Sequence, residues 1–128
     1  MTNPSFIFKV RLELNDIPED FLSDEVIGHF LTKADKFISS IIKDDADPEI
    51  VQLAVISLAA YYCYDAYTEI VARKMGTIPE YNQQRAEELK KQAYSYITMV
   101  VSEPIDEDLK LLNPNIAPVS FGMAGILP

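Results

Sequence analysis

Asp35, Asp65 and Glu69 are the residues of this chain whose types and spacing come nearest to a metal site. On two packed helices they would form the start of a bundle-core carboxylate set. Such sites pair their carboxylates with a Glu-x-x-His step, and no such step occurs in the chain. Arg73, one turn after Glu69, is the simpler partner. The stretch DDADPE places Asp45, Asp47 and Glu49 in the alternation that begins a calcium loop. The sixth position of that loop requires glycine and the twelfth glutamate; here they are Ile50 and Ile56. His29 is the only histidine and Cys63 the only cysteine. With no further His or Cys to share a metal, His29 reads as a partly exposed helix residue. Cys63 has no cation or histidine beside it in sequence to make a thiolate, so it reads as a buried, inert thiol. Tyr61, Tyr62, Tyr64 and Tyr67 read as helix packing with hydroxyls at the rim. A glycine-rich phosphate loop, a nucleophile elbow and a Ser/His/Asp set are all missing from the sequence. The residues therefore predict no catalytic site, no cofactor and no metal.

The surface is acidic. A formal net charge of −9 and a sequence pI near 4.4 disfavour binding to phosphates or to an anionic membrane surface. At 128 residues the chain is long enough for one core and too short for two domains. Its most apolar stretch, LAVISLAAYYCY, spans Leu53 to Tyr64 and falls short of the ~20 residues a membrane span requires. With a single cysteine and no basic-then-apolar leader, the expectation is a soluble protein of a reducing compartment.

The elements that must position these residues read as helices. Ser23 stands at an N-cap position, with Asp24 and Glu25 in the first turn. Val26, Ile27, Phe30, Leu31, Ala34, Phe37, Ile38, Ile41 and Ile42 then recur in steps of three and four, one stripe along a helix. Asp47 and Pro48 start a second helix, which runs to about Lys74 and stops at Met75-Gly76. A third runs from Pro79 or Glu80 to about Val101 and turns Ala86, Leu89, Ala93, Tyr96, Ile97 and Val100 inward. A short fourth helix is expected over Ile105–Leu112.

The two ends differ from this core. In FIFKVRLEL, Phe6, Phe8, Val10, Leu12 and Leu14 alternate with Ile7, Lys9, Arg11 and Glu13, the period of two of a half-buried strand. The end, NPNIAPVSFGMAGILP, carries no charge but exposes Ile116, Val119, Phe121, Met123, Ile126 and Leu127 unless something covers them. The expected architecture is mainly α. Residues 1–22 form a strand arm and linker, 23–103 a three-helix bundle, and 104–128 the short fourth helix and an extended tail. Phe6, Phe8, Val10 and Leu12, together with the six apolar tail residues, are the expected partner-binding positions, because unpaired strand edges and apolar ends bury themselves on neighbours.

Three stretches in this order, SDEVIGHFLTKADKFI, PEIVQLAVISLAAYYCYDAY and RAEELKKQAYSYI, resemble the small head–tail connector proteins (adaptor, or head-completion, proteins) of tailed double-stranded DNA phages and related viruses. The similarity covers Ser23 to Val101 and lies in composition and helix order. It implies a non-enzymatic helical subunit of the virion, made in the host cytoplasm and assembled as a dodecameric ring. That ring would sit between the portal and a tail or stopper protein, and DNA would pass through it without sequence-specific binding. An acidic lumen would suit such passage. The competing reading is a small helical interaction or regulatory protein that dimerises through its long apolar helix. There the strand would pair with a symmetry mate or with the tail at PVSF. A third is an enzyme built on Asp35, Asp65 and Glu69.

Overall fold

The computed structural model describes residues 4–105. They form four helices and one 3-10 turn: α1 (Pro4–Glu13), the turn Glu19–Phe21, α2 (Asp24–Ile41), α3 (Pro48–Met75) and α4 (Glu80–Val100). The fold is a helical bundle, and among the described residues the only β pairing is one isolated bridge, Ile42 with Val101. The short helix expected after Ile105 and the tail that follows it lie outside the described residues.

Local chemistry sets the three expected helices. The Ser23 hydroxyl accepts from the Val26 N–H at 3.2 Å, and the Asp47 carboxylate accepts from the Glu49 N–H at 2.9 Å, so α2 and α3 each satisfy one orphan donor at their start. Pro48 at the first helical position gives up no bond, because its missing N–H has no partner there. Gly76 ends α3 at φ +80, with its N–H on the Ala72 carbonyl. A Cβ at Gly76 would meet nothing within 4 Å, so only the backbone conformation is at issue. Gly76→Ala is thus expected to lower stability by about 1 kcal/mol in urea unfolding, the cost of a left-handed non-glycine residue. An unchanged midpoint would show that the turn relaxes instead.

The N-terminal segment corrects the strand expectation. FIFKVRLEL is helical, inside α1 and its last turn. The stretch carries two periods at once. Read in steps of four, Phe6, Val10 and Leu14 form a helical stripe that Ile7 widens and Ile17 extends. Val10, Leu14 and Ile17 are buried, and Phe6 and Ile7 are partly so. A strand needs a partner for its N–H and C=O groups, whereas a helix satisfies them within itself. Among the described residues there is no strand for it to join, while α3 and α2 offer an apolar surface on which α1 packs. Arg11 then ties α1 down, donating to Asp24 at 2.6 Å and to the Leu22 carbonyl at 2.8 Å. The segment is therefore no free arm: Leu14, Ile17 and Leu22 carry it into the core.

α3 is the axis. From Ala54 to Tyr64 every residue is buried, as a helix apolar on all sides requires. α3 is also long and apolar enough to cross a membrane by length and composition, with most of that stretch buried inside the bundle. α1 lies along its first half, since Lys9 sits by Glu49–Ile56 and Gln92 of α4 bridges Glu13 and Ser57. α2 and α4 flank the same axis and scarcely touch each other.

Candidate interaction surface

The helical α1 divides the four N-terminal positions expected to bind partners. Val10 is fully buried and Phe6 half-buried, both spent on the subunit's own core. Phe8 and Leu12, one turn apart, point away from it and are 61% and 59% exposed. Beside them α1 and α3 enclose an open groove of about 410 Å³, lined by Lys9, Glu49, Ile50, Gln52, Leu53 and Ile56. Leu53 is itself exposed. An apolar pair on a docked helix, next to a partly apolar groove, is an opening suited to a partner. Leu53 was legible in sequence only as part of an all-round apolar helix; the fold leaves it exposed. The six tail residues, Ile116 to Leu127, lie outside the described residues.

Below this surface a polar junction joins three elements. Asp16, in the α1–α2 connection, accepts from the Tyr64 and Tyr81 hydroxyls, each at 3.2 Å, through one carboxylate oxygen. Asn82 donates to the Tyr64 oxygen at 2.9 Å. Arg85 reaches back to donate to the Glu13 carbonyl at the end of α1, and its guanidinium lies 3.8 Å from Asp16 and 3.6 Å from Glu88. The second Asp16 oxygen is buried with no partner. The junction locks α1 to α3 and α4, and so aims Phe8 and Leu12 outward. Sequence reading treated Asp16 as linker, because nothing local marks its partners, 48 and 65 residues away. A second cleft, of about 250 Å³, lies under the same connection between Arg11, Asn15, Glu19 and Ile27.

The residues weighed for chemistry are dispersed. Among the described residues no three His, Cys, Asp or Glu side chains gather where they could hold a metal, so Asp35, Asp65 and Glu69 do not form a set. His29 is exposed, its ring edge-on to Phe30. Asp47 caps α3. Tyr61, Tyr62 and Tyr64 are buried, and Tyr67 sets its ring edge-on to Tyr64 and to Phe21.

Burial pushes the Cys63 thiol up to about 12, with Arg11 opposing weakly, so it stays protonated and unreactive. Burial also raises Tyr64 to about 12; Asn82 opposes this and Asp16 adds to it. Tyr62 is raised by burial alone. Each of these groups is neutral in the fold and ionises more readily in the open chain. Their contribution is complete below the unfolded values of 9.0 for cysteine and 10.0 for tyrosine and is lost as pH climbs to about 12. The urea midpoint is therefore expected to fall from about pH 9 upward, and Cys63→Ala to delay its onset to about pH 10. A midpoint that holds to pH 12 would contradict this.

No family model matches the chain, nor does any curated protein or solved structure.

Proposed function

We propose that the chain is a structural subunit of a tailed virus particle: a head–tail connector that assembles as a ring between the portal and the tail or stopper protein and continues the DNA channel. The observation that carries this reading is the outward pair Phe8 and Leu12 beside the Leu53 groove, apolar area on an otherwise acidic subunit. A ring requires each subunit to present two different surfaces, and this face is suited to be one of them. The resemblance of the α2, α3 and α4 stretches to connector proteins and the negative charge, which would let DNA slide past without adhering, support the same reading. The subunit would be made in the host cytoplasm and function in the virion, without a cofactor and without catalysis. A dimer through the long apolar helix would need the Ala54–Tyr64 surface that α1, α2 and α4 already cover.

The test is native mass spectrometry of the full chain mixed with the assembled portal ring of the same virus. A complex carrying about twelve copies is expected, and Phe8→Asp with Leu12→Asp should abolish it while the helical circular dichroism is kept. A wild-type chain that binds no portal and forms no ring would sink the proposal.

A further inference from the structure

α1 carries a knob and a hole side by side. Phe8, Arg11, Leu12 and Asn15 recur at steps of three and four, so they share the outward face of α1 and of the turn that continues it. Phe8 and Leu12 stand in solvent. The cleft of about 250 Å³ opens on the same face, and its floor is apolar: Leu14, Ile17, Leu22 and Ile27. Arg11, Asn15 and Glu19 form its rim. Arg11 is spent on Asp24 and the Leu22 carbonyl, whereas Asn15 and Glu19 are exposed. The hole has room for one large apolar side chain. Phe8 lies about 10 Å back along the helix that walls it, at ~1.5 Å per residue, and points outward.

The charges around knob and hole are complementary. Lys9, next to Phe8, lies 5.7 Å from the Phe6 ring centroid, and Glu19 and Asp20 are exposed at the hole. Among the described residues none of these three charges takes part in an ion pair.

We propose that this face docks on the same face of a second copy of the chain. The two α1 helices run antiparallel about a two-fold axis near Leu12, Phe8 of each copy fills the cleft of the other, and Lys9 comes beside the Glu19 rim. Two facts select a second copy as the occupant. A two-fold contact requires one self-complementary patch, in which residue i meets j as j meets i, and here knob and hole lie within two turns of one helix. The cation also stands at the knob and the anions at the hole, so a single operation closes opposite charges twice. At −9 per chain two copies repel at long range, and the association depends on these close contacts. Unlike a dimer through the long helix, it leaves Ala54–Tyr64 covered. The inference does not rest on the connector reading. Both use Phe8 and Leu12, so under that reading the pair opens before a ring forms.

Sedimentation velocity of the full chain, with no portal present, tests this. A monomer at ~1 µM and a dimer at ~200 µM are expected, as for a small reversible interface. Phe8→Asp should stay monomeric at the higher concentration while keeping its helical circular dichroism. Asn15→Trp, which fills the mouth of the cleft and leaves Phe8 and Leu12 intact, should do the same, whereas general apolar stickiness would strengthen association. Lys9→Glu and Glu19→Lys should each weaken the dimer roughly tenfold, and both together in one chain should restore it to within about threefold of the parent. A parent chain that is monomeric at ~200 µM, or that grows beyond a dimer, overturns the proposal. So does an Asn15→Trp variant that dimerises as well as the parent, or a pair of charge changes whose losses add. None of these results involves the portal, so they leave the connector test standing on its own.

Discussion

Val10→Asp is expected to cost the subunit about 3–5 kcal/mol, the penalty for an uncompensated charge placed in a packed core. Its neighbour two positions earlier, Phe8→Asp, should leave stability within about 0.5 kcal/mol of the parent, because the new carboxylate points into water. The contrast follows from α1. Val10 is fully buried while Phe8 is 61% exposed, although both lie on the same side of an extended chain. Leu14 and Ile17 continue the buried stripe, so displacing Val10 would also loosen the connection that carries Asp16. Urea unfolding of the two variants measures the difference directly. A strand arm waiting for a partner would make both substitutions equally harmless to the isolated subunit, and that result would remove α1 from the fold.

Arg85→Ala should cost about 2–3 kcal/mol, the range for losing hydrogen bonds to charged groups with buried partners left behind. Its side chain is about four-fifths buried and serves three acceptors: the Glu13 carbonyl, Asp16 and Glu88. Glu88 is exposed and contributes little, as surface pairs do. The weight falls on Glu13, whose carbonyl closes α1, and on Asp16, which already keeps one oxygen unpartnered. Arg85→Lys should recover only part of the loss, because a single ammonium cannot hold the fork that spans Glu13 and Asp16. Removing the stranded charge as well, with Asp16→Asn, should make the double variant less damaged than the sum of the singles by about 1 kcal/mol. Strict additivity would mean that Arg85 and Asp16 are not coupled and that the junction does not hold α1 in place.

Both results bear on assembly. Phe8 and Leu12 present a usable surface only if α1 is held rigidly, and the clamp at Arg85 is what holds its end. Under the proposed connector reading, weakening the clamp should blunt ring formation even though no residue of the outward face is altered.

The caps and stripes were legible because they are local. Ser23 reaches only three residues, Asp47 two, and Gly76 closes on Ala72 four residues back. The spacing of apolar residues in α2 and α4 likewise repeats within a turn or two, so α2, α3 and α4 stand where the sequence places them. Burial of Cys63, Tyr61, Tyr62 and Tyr64 followed from an apolar helix with no free side, but the Tyr62 hydroxyl is buried instead of lying at the rim, and Tyr67 is only partly covered.

FIFKVRLEL shows the limit. Its residues satisfy a period of two and a period near four, and no neighbour in sequence chooses between them. The choice rests on the faces of α2 and α3, which offer Val10 and Leu14 a place to be buried, and on Arg11, which finds Asp24 thirteen residues away. Asp16 is the same case at longer range: its partners Tyr64, Tyr81 and Arg85 come from two other helices. By itself the sequence determined the helices of the core and the acidity of the surface, because capping, periodicity and charge act over a few bonds. Only the tertiary structure decided that the N-terminus is a helix and that Phe8, Leu12 and Leu53 remain in solvent, because a segment with two periods adopts the one whose apolar face finds a surface to cover it.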